Sequence, residues 1–266
     1  MSLLLVGAIT GLRADDAGTK RAWELVGRSV DEAHRAFAGL AGTQQGAAAR
    51  DAALGLAVTG FETQPFAEKN VTASQQQLRG LIAADANDET GLRARYELGR
   101  SRQLYHGASG PATENPEFAV LVREHPEHYL AQLAVVKLML HRLYAVDADE
   151  PAKARLAAAE SVRGQLNEAG LRGEYHLLLG DAYLFFGDQR AAALRHYREA
   201  ERIGIHDSSA RAQVLVQIGE LARLEGDRAL AIEAYRKFLA DFSRDVRVLT
   251  IRRRLEEAER NPDATP

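Results

Sequence analysis

The feature that most restricts this chain is a recurring piece of punctuation. Glycine followed at once by aspartate closes one helically spaced apolar stretch and opens another, at Gly187-Asp188 and again at Gly226-Asp227. A glycine just past a helix accepts the left-handed turn that ends it, and an aspartate side chain then takes up the free N–H groups of the next helix. Leu179, Tyr183 and Phe186 precede the first mark, and Val248, Ile251, Leu255 and Ala258 lie beyond the second, all at helical spacing. Together they predict tight helical hairpins. All seven prolines, Pro65, Pro111, Pro116, Pro126, Pro151, Pro262 and Pro266, fall at breaks in this reading. Asn115-Pro116 and the Asp-Glu-Pro at 149–151 read as caps followed by proline in a first turn, where the missing N–H costs nothing. No stretch alternates as a strand would, and aromatics are only 6% of a chain rich in Ala and Leu. The prediction is all-α, with about eleven or twelve helices and short loops except over residues 107–115.

Aligned on these marks, the hairpins share more than their turns. Ile218-Gly219, Ala222, Gly226-Asp227, Ala231, Tyr235 and Phe238 are matched by Leu179-Gly180, Tyr183, Gly187-Asp188, Tyr197 and Ala200, with one extra residue in the earlier turn. This pattern resembles the tetratricopeptide repeat, a helical hairpin of about 34 residues with an apolar-Gly pair on its first helix and Ala, aromatic and Ala on its second. Weaker units follow the same order. Leu98-Gly99 pairs with Phe118, Leu121 and Pro126; residues 129–144 pair with 151–166, Val136 replacing the glycine; Leu54-Gly55 and Val58 pair with 75–85. The resemblance covers residues 47–243 and implies an α-solenoid of about five hairpins. Gly180 and Gly219 would lie at close helix crossings, with Tyr197, Ala200, Tyr235 and Phe238 filling the seams. Residues 15–46 would cap the start, with Trp23, Val26 and Val30 inward. Residues 244–266 would supply a closing helix and tail, Arg252, Arg253 and Arg254 partly paired with Glu256 and Glu257.

Several chemistries find no support. A formal charge of −3 offers no basic stripe for nucleic acid, and zero cysteines remove disulfides, thiolate metal sites and thiol nucleophiles. His125 and His128 are separated by Pro126, which spoils a helical metal-ligand pair. His141, His176 and His196 fall in predicted helices without triad-like neighbours and read as packing or surface residues. No phosphate-binding glycine loop appears, and Asn70-Val71-Thr72 matches a glycosylation acceptor only formally, inside a predicted helix. No catalytic residue, cofactor or metal is expected.

The resemblance implies instead a non-enzymatic scaffold whose first helices line a groove for a protein or peptide. By register the groove positions are Arg93, Tyr96, Arg100 and Gln103, then Lys137 and His141, then Asp181, Leu184 and Phe185, then Gln213, Glu220 and Arg223. This lining is basic in the middle and acidic toward the end. Leu177, Asp181, Val216 and Glu220 do not reproduce the Lys/Asn/Arg set with which some members clamp a terminal carboxylate. Two alternatives stay open: an enzyme with its active site around His141 or His176, and a cytoplasmic regulatory or complex-assembly module.

Residues 3–12 form an uncharged apolar run, well short of the roughly 20 residues that span a membrane. The run suits the centre of a secretory signal, with Leu12-Arg13-Ala14 as a cleavage site before Asp15, although only Met1 and Ser2 precede it where a basic leader is usual. Residues 1–14 are therefore read as a signal peptide and the protein as periplasmic or secreted; the alternative is a short piece of core in a cytoplasmic protein. No other apolar run reaches spanning length. Residues 118–126, followed by Tyr129-Leu130-Ala131, resemble repeat segments of bacterial cell-envelope assembly and trans-envelope motor accessory proteins.

Overall fold

The computed structural model describes residues 17–105, 115–144, 150–187 and 189–260. Residues 1–14, Asp149 and Asp188, on which the signal and two caps were read, lie outside them, as does most of the 107–115 loop. Two compact units divide the chain, Met1–Ala134 and Val135–Pro266. In the first unit, α1 (Ala17–Val26), α2 (Val30–Ala41), α3 (Gly46–Gly60), α4 (Glu68–Ala84), α5 (Glu89–Tyr105) and α6 (Pro116–Glu124) follow one another. Helix α7 (Tyr129–Tyr144) contains the division between the units. The second unit continues with α8 (Ala152–Ser161), a 3-10 turn (Arg163–Gln165), α9 (Ala169–Gly187), α10 (Arg190–Ile203), α11 (Ser208–Leu224), α12 (Arg228–Asp241) and α13 (Val248–Arg260). Among the described residues there is no strand, and their thirteen helices exceed the expected number. The N-terminal stretch contributes two of them. It breaks after Val26, where the Arg28 and Ser29 N–H groups both turn back to the Leu25 carbonyl.

Most successive helices pack on one another. The expected turn chemistry is present at Gly226-Asp227 and Asn115-Pro116, whereas Gly187 is the last residue of α9 and does not take the left-handed conformation that the sequence suggested. Gly226 has φ +81°, and Asp227 accepts the Leu230 N–H at 3.1 Å. Asn115 caps α6 by accepting from Phe118 N–H while its amide donates to the Gly99 carbonyl at 2.7 Å, so one side chain serves two helices. Pro151 stands one residue outside the first turn, in the N-cap position of α8.

Glycine crossings set the packing. A Cβ on Gly180 would lie 2.6 Å from Cε1 of Tyr197, and one on Gly99 would lie 2.6 Å from Phe118 Cδ1. One on Gly219 would collide with the Tyr235 ring. Gly55 differs from the expected register. Its space is filled by Phe37 of the preceding helix α2, and the α3–α4 crossing lies instead where Gly60 meets Ser74. The cause is compositional, since α4 has no aromatic side chain to offer. Phe37, Phe118, Tyr197 and Tyr235 are each at most 2% exposed.

In the first unit these crossings join a core of Trp23, Leu54, Val71, Leu78 and Leu98, with Trp23 edge-on to Phe37 at 4.9 Å and Val26 packed on its rim. In the second, Leu194, Leu215, Ile218, Phe238 and Ile251 surround Tyr197 and Tyr235. Helix α13 closes this core through Ile251, with Val248 and Leu255 half-buried, and Arg253 and Arg254 pair with Glu257.

Two glycine substitutions should move stability in opposite directions. Gly219→Ala forces a methyl into a buried, hydrogen-bonded ring and should cost about 1–3 kcal/mol despite its better helix propensity. Gly80→Ala, in α4 with open space around the position, should stabilise by about 0.5–1 kcal/mol. Urea unfolding of both variants measures the difference; a Gly219→Ala protein as stable as the parent would remove the close-crossing role.

Candidate functional site

In the first unit the predicted groove residues go mostly to the interior. Arg93 donates from Nη1 to Asp51 Oδ1 at 2.9 Å, and its guanidinium lies 4.7 Å over the Trp23 ring, whose Nε1 donates to Asp51 Oδ2 at 3.0 Å. This cluster ties α1, α3 and α5 together. Tyr96 is 1% exposed and stacks on Phe118 at 5.4 Å. Arg93, Tyr96 and Arg100 do share a helix face, but for the first two that face is packed, because α5 is buried over a wide arc. Arg100 is half-buried and donates to Glu97 at 3.0 Å; Gln103 is exposed. Asp51, which holds the cluster together, was missed by sequence reasoning because its partners are remote in the chain.

The second unit brings its candidates together differently. Tyr197, seated on Gly180, donates its hydroxyl to Asp181 Oδ1 at 2.6 Å. Tyr235, seated on Gly219, donates to Glu220 Oε1 at 2.8 Å. Each acid follows its glycine directly, so bare backbone accommodates the ring and the next side chain reaches its hydroxyl. Burial first, and the hydrogen-bonded carboxylate second, push both phenols well above their ordinary value. In the first unit Gly99 is followed by Arg100 and faced by Phe118, which has no hydroxyl to place. Glu220 also accepts from Arg223 at 3.1 Å and lies 3.4 Å from Arg254 of α13, so little of its charge is left uncompensated. Gln213 is exposed and accepts from Arg247 Nη1 at 2.6 Å.

On α7, Lys137 and His141 are half-buried. Burial lowers the His141 pKa, and its Nε2 finds no hydrogen-bond partner among the described residues. Leu184 is half-buried against the second core, whereas Phe185 is 73% exposed. Phe185 belongs to an aromatic cluster. Its ring lies 5.6 Å from Tyr144 at 69° and 4.9 Å from Phe186 at 87°. Tyr144 stacks on Phe186 at 5.6 Å and is itself 43% exposed. Arg155 of α8 lies 5.5 Å over Phe186 and is steadied by donating to the Glu150 and Leu143 carbonyls. The Phe185-Phe186 pair is visible in sequence; Tyr144 and Arg155 join it only through the packing of α7 and α8.

The histidines also have specific places. His128 Nε2 lies 3.2 Å from Glu89 at the surface. His176 and His196 are buried and face each other with Nδ1 atoms 2.9 Å apart. Among the described residues, no group of three or more His, Cys, Asp or Glu is placed to hold a metal ion, and no helix is long and apolar enough to cross a membrane.

No protein-family model and no curated protein matches the chain. The solved structure of a thermophilic TPR protein from Thermus thermophilus is similar over 79% of this chain and 98% of that one, at 22% identity and a TM-score of 0.43.

Tyr197→Phe tests the tyrosine–carboxylate seam. The ring packing survives and only the hydroxyl bond to Asp181 goes, so the expected loss is about 1 kcal/mol. Chemical denaturation checks it; no loss would mean that water replaces the bond without cost.

Proposed function

We propose that the chain is a non-enzymatic scaffold that docks a protein segment on the exposed aromatic cluster of its second unit. The observation behind this reading is the 73% exposure of Phe185 within a preformed group of rings. A large aromatic left in water by the native fold, yet held by Tyr144 and by Phe186, which Arg155 covers in turn, loses little conformational freedom when a partner covers it. Asp181, half-buried Leu184 and Lys137 would border the contact, and the buried Arg93 and Tyr96 would support the fold of the first unit without touching the partner.

The apolar run at residues 3–12 supports an exported protein, and the likeness of residues 118–131 to envelope-assembly repeats supports a role there. Terminal sequencing of the native protein decides the first point, with a start near Asp15 expected.

Docking is tested by recovering a stoichiometric protein from native extract, purifying it, and measuring its Kd. Phe185→Ala should weaken binding about tenfold, or about 1.4 kcal/mol, with unchanged helicity. Arg198→Glu, an exposed position on the outward side of α10, should leave Kd within about twofold. The reverse pattern would move the binding surface to α10.

A further inference from the structure

Helices α9 and α11 carry three carboxylates, Glu174, Asp181 and Glu220, and their charges are treated differently. Glu220 has Arg223 at 3.1 Å and Arg254 at 3.4 Å. Burial raises the Glu174 carboxyl, and Lys137 of α7 offsets part of that. Asp181 is exposed, and among the described residues its one hydrogen bond is from the Tyr197 hydroxyl at 2.6 Å and it pairs with no cation. The register explains the difference. Asp181 and Glu220 each follow the glycine of a seam, but three residues on, where α11 has Arg223, α9 has Leu184. The basic residues of α11 are committed elsewhere, Arg211 to Glu201 and Asp241, and Arg223 to Glu220.

This bare charge stands beside the exposed rings. Asp181 and Phe185 are four residues apart on α9, which puts their side chains next to each other on one helix face. Tyr144 lies 5.6 Å from Phe185, and its phenol is raised first by burial and then by the charge of Asp181. The nearest cations on α7 and α8 are engaged: Arg142 pairs with Glu150 at 2.7 Å, and Arg155 covers Phe186 and donates to the Glu150 and Leu143 carbonyls. Phe185 and Tyr144 therefore offer open ring surface next to an uncompensated carboxylate.

We propose that the docked segment carries an arginine, which lies against the Phe185 and Tyr144 rings and pairs its guanidinium with Asp181. The proposal rests on the docking reading and names the chemistry of the segment that docks. An arginine satisfies both halves of the surface, since its planar fork matches a carboxylate and its face stacks on aromatic rings. An acidic side chain in the same place would be repelled by Asp181, so the site selects against an acidic segment. The Tyr197 hydroxyl holds Asp181 in position before the partner arrives, so little freedom is lost on pairing. Glu220, neutralised from within the chain, offers no such contact.

The test uses the full chain labelled with nitrogen-15 and two capped peptides, Gly-Leu-Arg-Leu-Gly and its citrulline analogue, which keeps the shape without the charge. At low salt the arginine peptide should move the Asp181, Phe185 and Tyr144 amide signals saturably, with a Kd about tenfold below that of the citrulline peptide. Asp181→Asn keeps an oxygen for the Tyr197 hydroxyl, so its urea unfolding should match the parent. Its affinity for the arginine peptide should fall about fivefold, while that for the citrulline peptide stays within about twofold. Salt at about 0.5 M should remove most of the preference for arginine in the parent. Equal affinity of the two peptides at these amides overturns the arginine pairing and leaves docking on the rings standing. An Asp181→Asn chain that keeps the full preference for arginine also overturns the pairing. Saturable shifts only at other residues, or none with either peptide, overturn the pairing and the docking reading together.

Discussion

Four helix seams among the described residues depend on where a helix leaves its backbone bare. Gly180, Gly219, Gly99 and Gly55 each admit an aromatic ring to a distance that even a methyl group would forbid. Glycine in a helix costs about 1 kcal/mol in propensity, and the ring it admits offsets this by burying an area no smaller side chain could supply. The rings are among the least exposed residues in the chain, so their neighbours are arranged around them.

The seam also decides what the adjacent residue does. In the second unit the acids after Gly180 and Gly219 receive the phenol hydroxyls of Tyr197 and Tyr235. Without an acceptor, a phenol in so buried a place would leave a polar group unpaired, at a cost of about 1–3 kcal/mol. In the first unit Phe118 makes no such demand, and Arg100 follows the glycine. Asp181 and Glu220 are thus parts of the packing before they are parts of any surface.

Polar groups inside the helices are handled by local completeness. Asp51 uses one oxygen for Arg93 and the other for Trp23, and the guanidinium covers the indole. Glu160 likewise collects two phenols and an imidazole. In each case a single carboxylate takes donors from other helices, so the bonds fix helix positions as well as satisfying charge.

The helical class, the turns at Gly226-Asp227 and Asn115-Pro116, and the crossings at Gly180 and Gly219 were legible in the sequence because each depends on residues close together or repeated at a fixed interval. The groove residues were less legible. Helical spacing places Arg93, Tyr96 and Arg100 on one face, but spacing says nothing of what packs there; α3 and α6 bury the first two, while Phe185, at an equivalent type of position, stays open. Gly55 shows the same limit, since the ring that fills its space comes from the helix before it. Asp51 and Glu160 carried no local signal at all, their partners being distant in the chain. The sequence by itself determined which segments are helices and where bare backbone invites a ring; only the tertiary structure decided which ring arrives and which charges meet, because burial and charge pairing depend on the neighbouring helices.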